Sequence, residues 1–96
     1  MMVLVSYDVS TTTAEGVKRL RKIAEVCVDN GLRVQDSVFE CNVDPAQWEA
    51  LKDKLLSKYK AEEDSLRFYF LGSNWKRRVE HHGAGKIQDI EDTLIV

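Results

Sequence analysis

No apolar run in the chain approaches the roughly 20 residues that a membrane-spanning helix requires. The N-terminus carries neither a basic flank nor a small-residue cleavage site. Neither a transmembrane helix nor a secretory signal is therefore expected, and the expected location is cytoplasmic. Cysteine is scarce. Cys27 and Cys41 stand far apart and outside any CxxC pair. Both fall inside apolar patterns, which predicts buried free thiols in a reducing compartment and not a disulfide framework. A net charge of −2 does not mark a strongly basic nucleic-acid binder. Linkers, internal repeats and low-complexity segments are missing. So are a Gly-rich phosphate loop, a Ser/His/Asp set and a catalytic cysteine arrangement.

What remains is a chain of 96 residues with 44% apolar and 31% charged content, the balance of an ordered globular protein. That length fits one domain over residues 1–96 and is often helped by oligomerisation. Charge is segregated. The "KRLRK" stretch at 18–22 holds four bases, and residues 67–83 hold Arg67, Lys76, Arg77 and Arg78 against Glu80 alone. Acids gather at 44–64 and at Asp89, Glu91 and Asp92. An acidic protein can present a basic face in this way.

The spacing predicts a first strand over Met2 to Val9. Thr12, three residues before Glu15, has the spacing of a capping box and starts a helix. Val17, Leu20, Ile23, Ala24, Cys27 and Val28 form its apolar face, and Asn30-Gly31 supplies the stop. "LRVQDSVFECNV" is β-branched and too long for one strand, so the polar "QDS" predicts a bend between two. Asp44-Pro45 opens a second helix with Asp44 as cap; Trp48, Leu51, Leu55 and Tyr59 line its apolar side. After the acidic "AEED" loop, "SLRFYFLG" reads as a strand closed by Gly72. The order βαββαβ, with two amphipathic helices to cover, predicts an α+β ferredoxin-like sandwich. A basic loop or turn follows, and Thr93 to Val96 reads as an extra C-terminal strand. With Ile87, Ile90, Leu94 and Ile95, residues 84–96 form a tail expected to dock on a partner subunit.

Asp8 is out of place at a strand end, because aspartate is depleted in strands. Two readings are open: a carboxylate bonding the backbone of the "VSTTT" loop, or a metal ligand. A single carboxylate is a poor site for a hard divalent ion, whereas two copies across a twofold axis would suit one. "KRLRK" reads either as a solvated face or as a phosphate contact. "NWKRRVEHH" interleaves Trp75 with three bases, as phosphate contact and stacking require, or else Trp75 covers the core. His81 and His82 point to opposite faces if they lie in a strand, and nothing completes a zinc set. Phe68 and Phe70 share a strand face, but the basic-Gly-aromatic run of an RNA-recognition domain is missing. Arg33 and Phe39 read as a strand arginine and a core aromatic.

The segments "VSYDVST", "RVQDSVFEC", "DSLRFYFLG" and "NWKRRVEHHGAG…IEDTLIV" together resemble the CRISPR-associated protein 2 family over essentially the whole chain, with an ending similar to subtype I-C members. The resemblance implies a ferredoxin-like homodimer whose C-terminal strand docks on the partner's sheet. It implies spacer acquisition beside the adaptation integrase, CRISPR-associated protein 1, and metal-dependent endonuclease activity on duplex DNA or RNA. Its strand-one aspartate falls on Asp8, as catalytic and metal-binding residue for Mg²⁺ or Mn²⁺. Its preceding aromatic falls on Tyr7, its basic helix residues on Arg19 and Arg21, and its central arginine and phenylalanine on Arg33 and Phe39. With Lys76, Arg77 and Arg78 these form the expected nucleic-acid-binding set. The alternatives are a non-catalytic DNA-binding scaffold of the integrase complex, a toxin-like ribonuclease of related fold, and a small-molecule-binding regulatory dimer.

Overall fold

Alternate residues of the first strand are buried, and this pleat organises the molecule. The computed structural model describes residues 1–72 and 79–84. Its elements are β1 (Met2–Asp8), α1 (Ala14–Asn30), β2 (Leu32–Gln35), β3 (Val38–Asn42), α2 (Pro45–Leu56), β4 (Ser65–Leu71) and β5 (Val79–Gly83). The strands form one antiparallel sheet in the order β2-β3-β1-β4-β5. The first four make the expected ferredoxin-like sheet, and β5 extends it beyond β4. Val3, Val5 and Tyr7 of β1 join Phe39, Cys41, Leu66 and Phe68 in one core with Ile23 and Cys27 of α1 and Trp48, Leu51 and Leu55 of α2. Because side chains alternate across a strand, Met2, Leu4, Ser6 and Asp8 lie on the opposite face, which carries no helix among the described residues.

The second helix begins as its sequence predicts. Gln47 N–H donates to Asp44 Oδ1 at 2.7 Å, and Asp44 N–H donates to Gln47 Oε1 at 2.9 Å, a reciprocal cap with Pro45 next in line. Trp48 sets its indole edge-on to Phe68 and Phe70, with centroids 4.9 and 5.3 Å away. Tyr59 lies beyond the helix end yet still packs on the core. Asp36 and Ser37 make the expected turn between β2 and β3.

The first helix differs in three ways. Its cap is Thr13, whose hydroxyl accepts from Gly16 N–H at 3.1 Å. Thr12 instead pairs its hydroxyl with that of Ser10 at 3.2 Å. A Cβ on Gly16 would run into the Ser10 carbonyl, so the glycine belongs where the preceding loop crosses the helix. The helix does stop at Asn30, but Gly31 is extended (φ −159°) and not left-handed. Its glycine is needed because a Cβ there would meet Cys41 Sγ and the Glu40 carbonyl. Finally, Val17 and Val28 remain 42% and 56% exposed, bordering a groove beside β2 instead of entering the core.

One strand lies outside the segments expected to form strands. It is Val79–Gly83, paired with β4 of its own chain, where a basic loop or turn was expected. Thr93 to Val96, the tail from residue 85 and the basic residues Lys76, Arg77 and Arg78 lie outside the described residues. Among the described residues, no helix is long and apolar enough to cross a membrane.

Cys27 and Cys41 are free and fully buried. Burial, with a smaller contribution from Cys41, pushes the Cys27 thiol up to about 12, and burial raises Cys41 as well. The thiolate is the reactive form. A chromogenic disulfide reagent at neutral pH should therefore leave both thiols untouched in the native protein and titrate both in denaturant. A rapid native reaction would contradict this placement.

Candidate functional site

Asp8 is exposed on the bare sheet face. It pairs across the sheet with Ser65, which pairs in turn with Gly83; the next row but one inward is Ser6, Arg67 and His81. The loop following Asp8 does not take its carboxylate as a local partner at Ser10, whose N–H donates instead to Asp64 Oδ1 at 3.1 Å. Among the described residues, no group of three or more His, Cys, Asp or Glu is placed to hold a metal. Asp8 belongs to no such group among the described residues. The two histidines do not join it. His81 Nε2 lies 3.1 Å from the Ala84 carbonyl, while His82 Nε2 lies 3.2 Å from Glu80 Oε1, with its ring against Phe68.

The remaining predicted residues fall elsewhere. Phe39 is fully buried, 6.2 Å from the Tyr7 ring, and Arg33 lays its guanidinium 5.0 Å above it. This is a cation–π contact that covers the core edge. Phe39 is thus the core aromatic that its strand position predicts. Tyr7 is buried, and its hydroxyl donates to the Asp36 carbonyl at 3.3 Å. Burial pushes its phenol up, with Cys27 adding to the effect. Tyr7, Arg21, Arg33 and Asp36 line a cleft of about 390 Å³ between α1 and the β2–β3 turn. Arg21 and Arg33 are the two basic groups there, and both are exposed. The pleat that puts Tyr7 inside puts Asp8 on the other side of the sheet, so the structure separates these residues into two surfaces.

Arg19 is paired within its own chain. Its Nε donates to Asp64 Oδ2 at 2.8 Å, and its Nη2 donates to Asp64 Oδ1 at 3.3 Å and Glu63 Oε2 at 3.1 Å. These acids raise its pKa and engage its Nε and Nη2 donors, so part of its charge is spent inside the protein. Asp64 itself is fully buried and was hidden in the acidic "AEED" loop. Only its place directly before a strand distinguished it from Glu62 and Glu63. Its carboxylate also accepts from Lys60 N–H at 2.8 Å. Burial opposes its ionisation, but the bonds from Arg19, Lys60 and Ser10 outweigh burial and hold its carboxyl below the usual range.

A small ferredoxin-like protein with one exposed carboxylate at the end of its central strand is the class that the fold and site define. The family model described as CRISPR associated protein Cas2 matches residues 1–79. The chain belongs to that family. It is 62% identical over 96 residues to the CRISPR-associated endoribonuclease Cas2 of Chlorobaculum tepidum, covering all of both chains. It is 54% identical over 95 residues to the CRISPR-associated endonuclease Cas2 of Halalkalibacterium halodurans, covering 99% of each. Among solved structures it is similar to Streptococcus pyogenes Cas2 at pH 6.5, with a TM-score of 0.70 and 57% identity over 83% of this chain and 96% of that one.

Because the native pKa of Asp64 lies below its unfolded value, its contribution to stability is complete above the ordinary aspartate range near about pH 4. That contribution is lost as pH falls through this range toward the lowered native value. Asp64→Asn should destabilise the protein by about 3 kcal/mol at pH 7, and by less at pH 3. Urea unfolding at both pH values checks this. An equal cost at the two would contradict it.

Proposed function

We propose that the protein is a homodimeric endonuclease of CRISPR adaptation that hydrolyses phosphodiester bonds with a divalent cation held between two copies of Asp8. The observation that carries this reading is the exposed carboxylate on the sheet face opposite both described helices, in a chain whose relatives are named endonucleases and endoribonucleases. That face also carries Leu4, with Leu32 and Leu71 exposed at its two sides, apolar surface suited to a second sheet. Magnesium keeps several waters and takes one or two carboxylates. Asp8 fits as half of such a set, and the twofold axis of a homodimer supplies the other half. When bound, Mg²⁺ or Mn²⁺ would polarise a phosphoryl oxygen and lower the pKa of water.

The chain's own residues bind and orient the substrate. Arg21 and Arg33 at the edge cleft, with Lys76, Arg77 and Arg78, supply positive charge for phosphates, and Arg19 stays internal. The substrate is duplex DNA or single-stranded RNA, and the cellular setting is spacer acquisition beside the integrase CRISPR-associated protein 1 in the cytoplasm. A non-catalytic scaffold of that complex is the second reading. It is favoured by the absence, among the described residues, of any group of three or more potential metal ligands within one chain.

The deciding experiment is a Mg²⁺- and Mn²⁺-dependent cleavage assay on both substrates with Asp8→Asn as control. Cleavage should fall about 10²-fold or more, while sedimentation shows an unchanged dimer. Activity retained by rigorously purified Asp8→Asn would remove Asp8 from the chemistry. Wild-type protein inactive with both metals across pH would favour the scaffold.

Alanine at Lys76, Arg77 and Arg78 together should weaken duplex binding. The slope of log affinity against log salt should shrink by about one unit for each phosphate that the variant no longer neutralises. Arg19→Ala, measured where it remains folded, should leave that slope unchanged. An unaltered slope in the triple variant would place the binding surface elsewhere.

A further inference from the structure

We infer that Asp64 is a positioning residue for Asp8: together with Arg19 it anchors the chain on both sides of the strand-end carboxylate and thereby sets where that carboxylate stands. The inference rests on the reading of Asp8 as the functional carboxylate. Along β1, the anchor is Ser10, two residues past Asp8, whose N–H is held by Asp64 Oδ1. Across the sheet it is Ser65, which pairs with Asp8 and directly follows Asp64 in the chain. The Asp64 carbonyl accepts from Ala84 N–H at 2.7 Å, which ties down the end of β5 beside Ser65. A Cβ on Gly83, which has φ 103°, would collide with that carbonyl. Arg19 closes the set from α1 through its Nε and Nη2.

A fully buried carboxylate is a costly way to obtain stability alone, since apolar packing often does as well. A charged fork meeting a carboxylate, with two backbone N–H groups filling the remaining lone pairs, fixes one geometry. A reacting constellation must be held to within about 0.5 Å. A residue at the open end of a strand has no such definition from its own neighbours. Asp64 supplies it from behind the sheet, without facing the substrate.

The test uses full-length Asp64→Asn, which keeps the shape and removes the charge, at a temperature where circular dichroism shows it folded. Calorimetry with Mn²⁺ alone should show affinity weakened about 10-fold. The kcat for RNA cleavage should fall by a similar factor with KM unchanged. Unchanged Mn²⁺ affinity and kcat in the folded variant overturn the inference, because a merely stabilising residue moves neither. If Asp64→Asn does not fold, Arg19→Lys carries the same test; a single ammonium in place of the fork should weaken Mn²⁺ binding about threefold, and no change overturns the inference. If wild-type protein neither binds Mn²⁺ nor cleaves, the endonuclease reading fails by itself. Hydrogen exchange then decides the positioning. The variant should exchange at Asp8, Val9 and Ser10 about 10-fold faster relative to Phe39 and Cys41 than wild type does. Uniform acceleration at all five overturns it.

Discussion

The buried Asp64 carboxylate is the constraint on which the Asp8 end of the molecule depends. Out of water, it needs a donor for each lone pair and an opposite charge close by, and leaving either unmet costs several kcal/mol. Its four donors come from three places: Ser10 after β1, Arg19 in α1 through two nitrogens, and Lys60 after α2. Its own carbonyl takes Ala84 after β5. These segments therefore order together, because moving any one of them strands a charge or a hydrogen bond inside the protein. Gly16 and Gly83 lie where the backbones close in, against the Ser10 and Asp64 carbonyls. Among the described residues, no buried side-chain nitrogen or oxygen is left without a partner.

The pleat of β1 divides the rest. Tyr7 and Asp8 are neighbours in sequence, yet one is enclosed under α1 and the other stands exposed on the far side of the sheet. Phe39 and Arg33 follow Tyr7, since register pairs Arg33 with Phe39 on the helix side. A motif that reads as one functional cluster along the chain is thus two surfaces in space. The aromatic members make core, and Arg33 seals that core while keeping its charge in water, as long cationic side chains do. On the proposed reading, the chemistry belongs to the bare face and to two chains, and the edge cleft contributes charge only.

Burial also explains which charges are available for binding. Arg19 and Arg21 sit in the same basic run, and sequence alone gives them equal standing. On the helix they point different ways. Arg19 faces the Asp64 carboxylate and the Glu63 side chain, while Arg21 faces the cleft beside β2. Lys52 is similarly occupied, with Glu80 at 2.7 Å. Of the basic run at 18–22, Arg19 is thus spent in part on the protein's own acids.

The sequence by itself determined whatever depends on neighbours a few residues away. The alternation of β1, the reciprocal cap at Asp44 and Gln47, the buried spacing of Trp48, Leu51 and Leu55, the turn at Asp36 and Ser37 and the run of β4 are all short-range patterns, and the ferredoxin-like order follows from them. Asp8 was legible for the same reason: a carboxylate breaks the composition of its own strand. Tertiary structure decided the rest. The spacing of Thr12 to Glu15 pointed to Thr12 as cap, whereas in the fold Thr13 takes that place and accepts from Gly16 N–H. "VEHHG" carries no strand pattern, and β5 exists because the free edge of β4 supplies its hydrogen-bond partners. Val17 and Val28 fit the helical period but face a groove. Asp64 was one of three adjacent acids, and only a cation arriving from a helix 45 residues earlier in the chain made it the buried one. Local spacing fixes which face a side chain takes, but the partner that face meets is set by segments distant in sequence, and the energy of a buried charge depends on that partner.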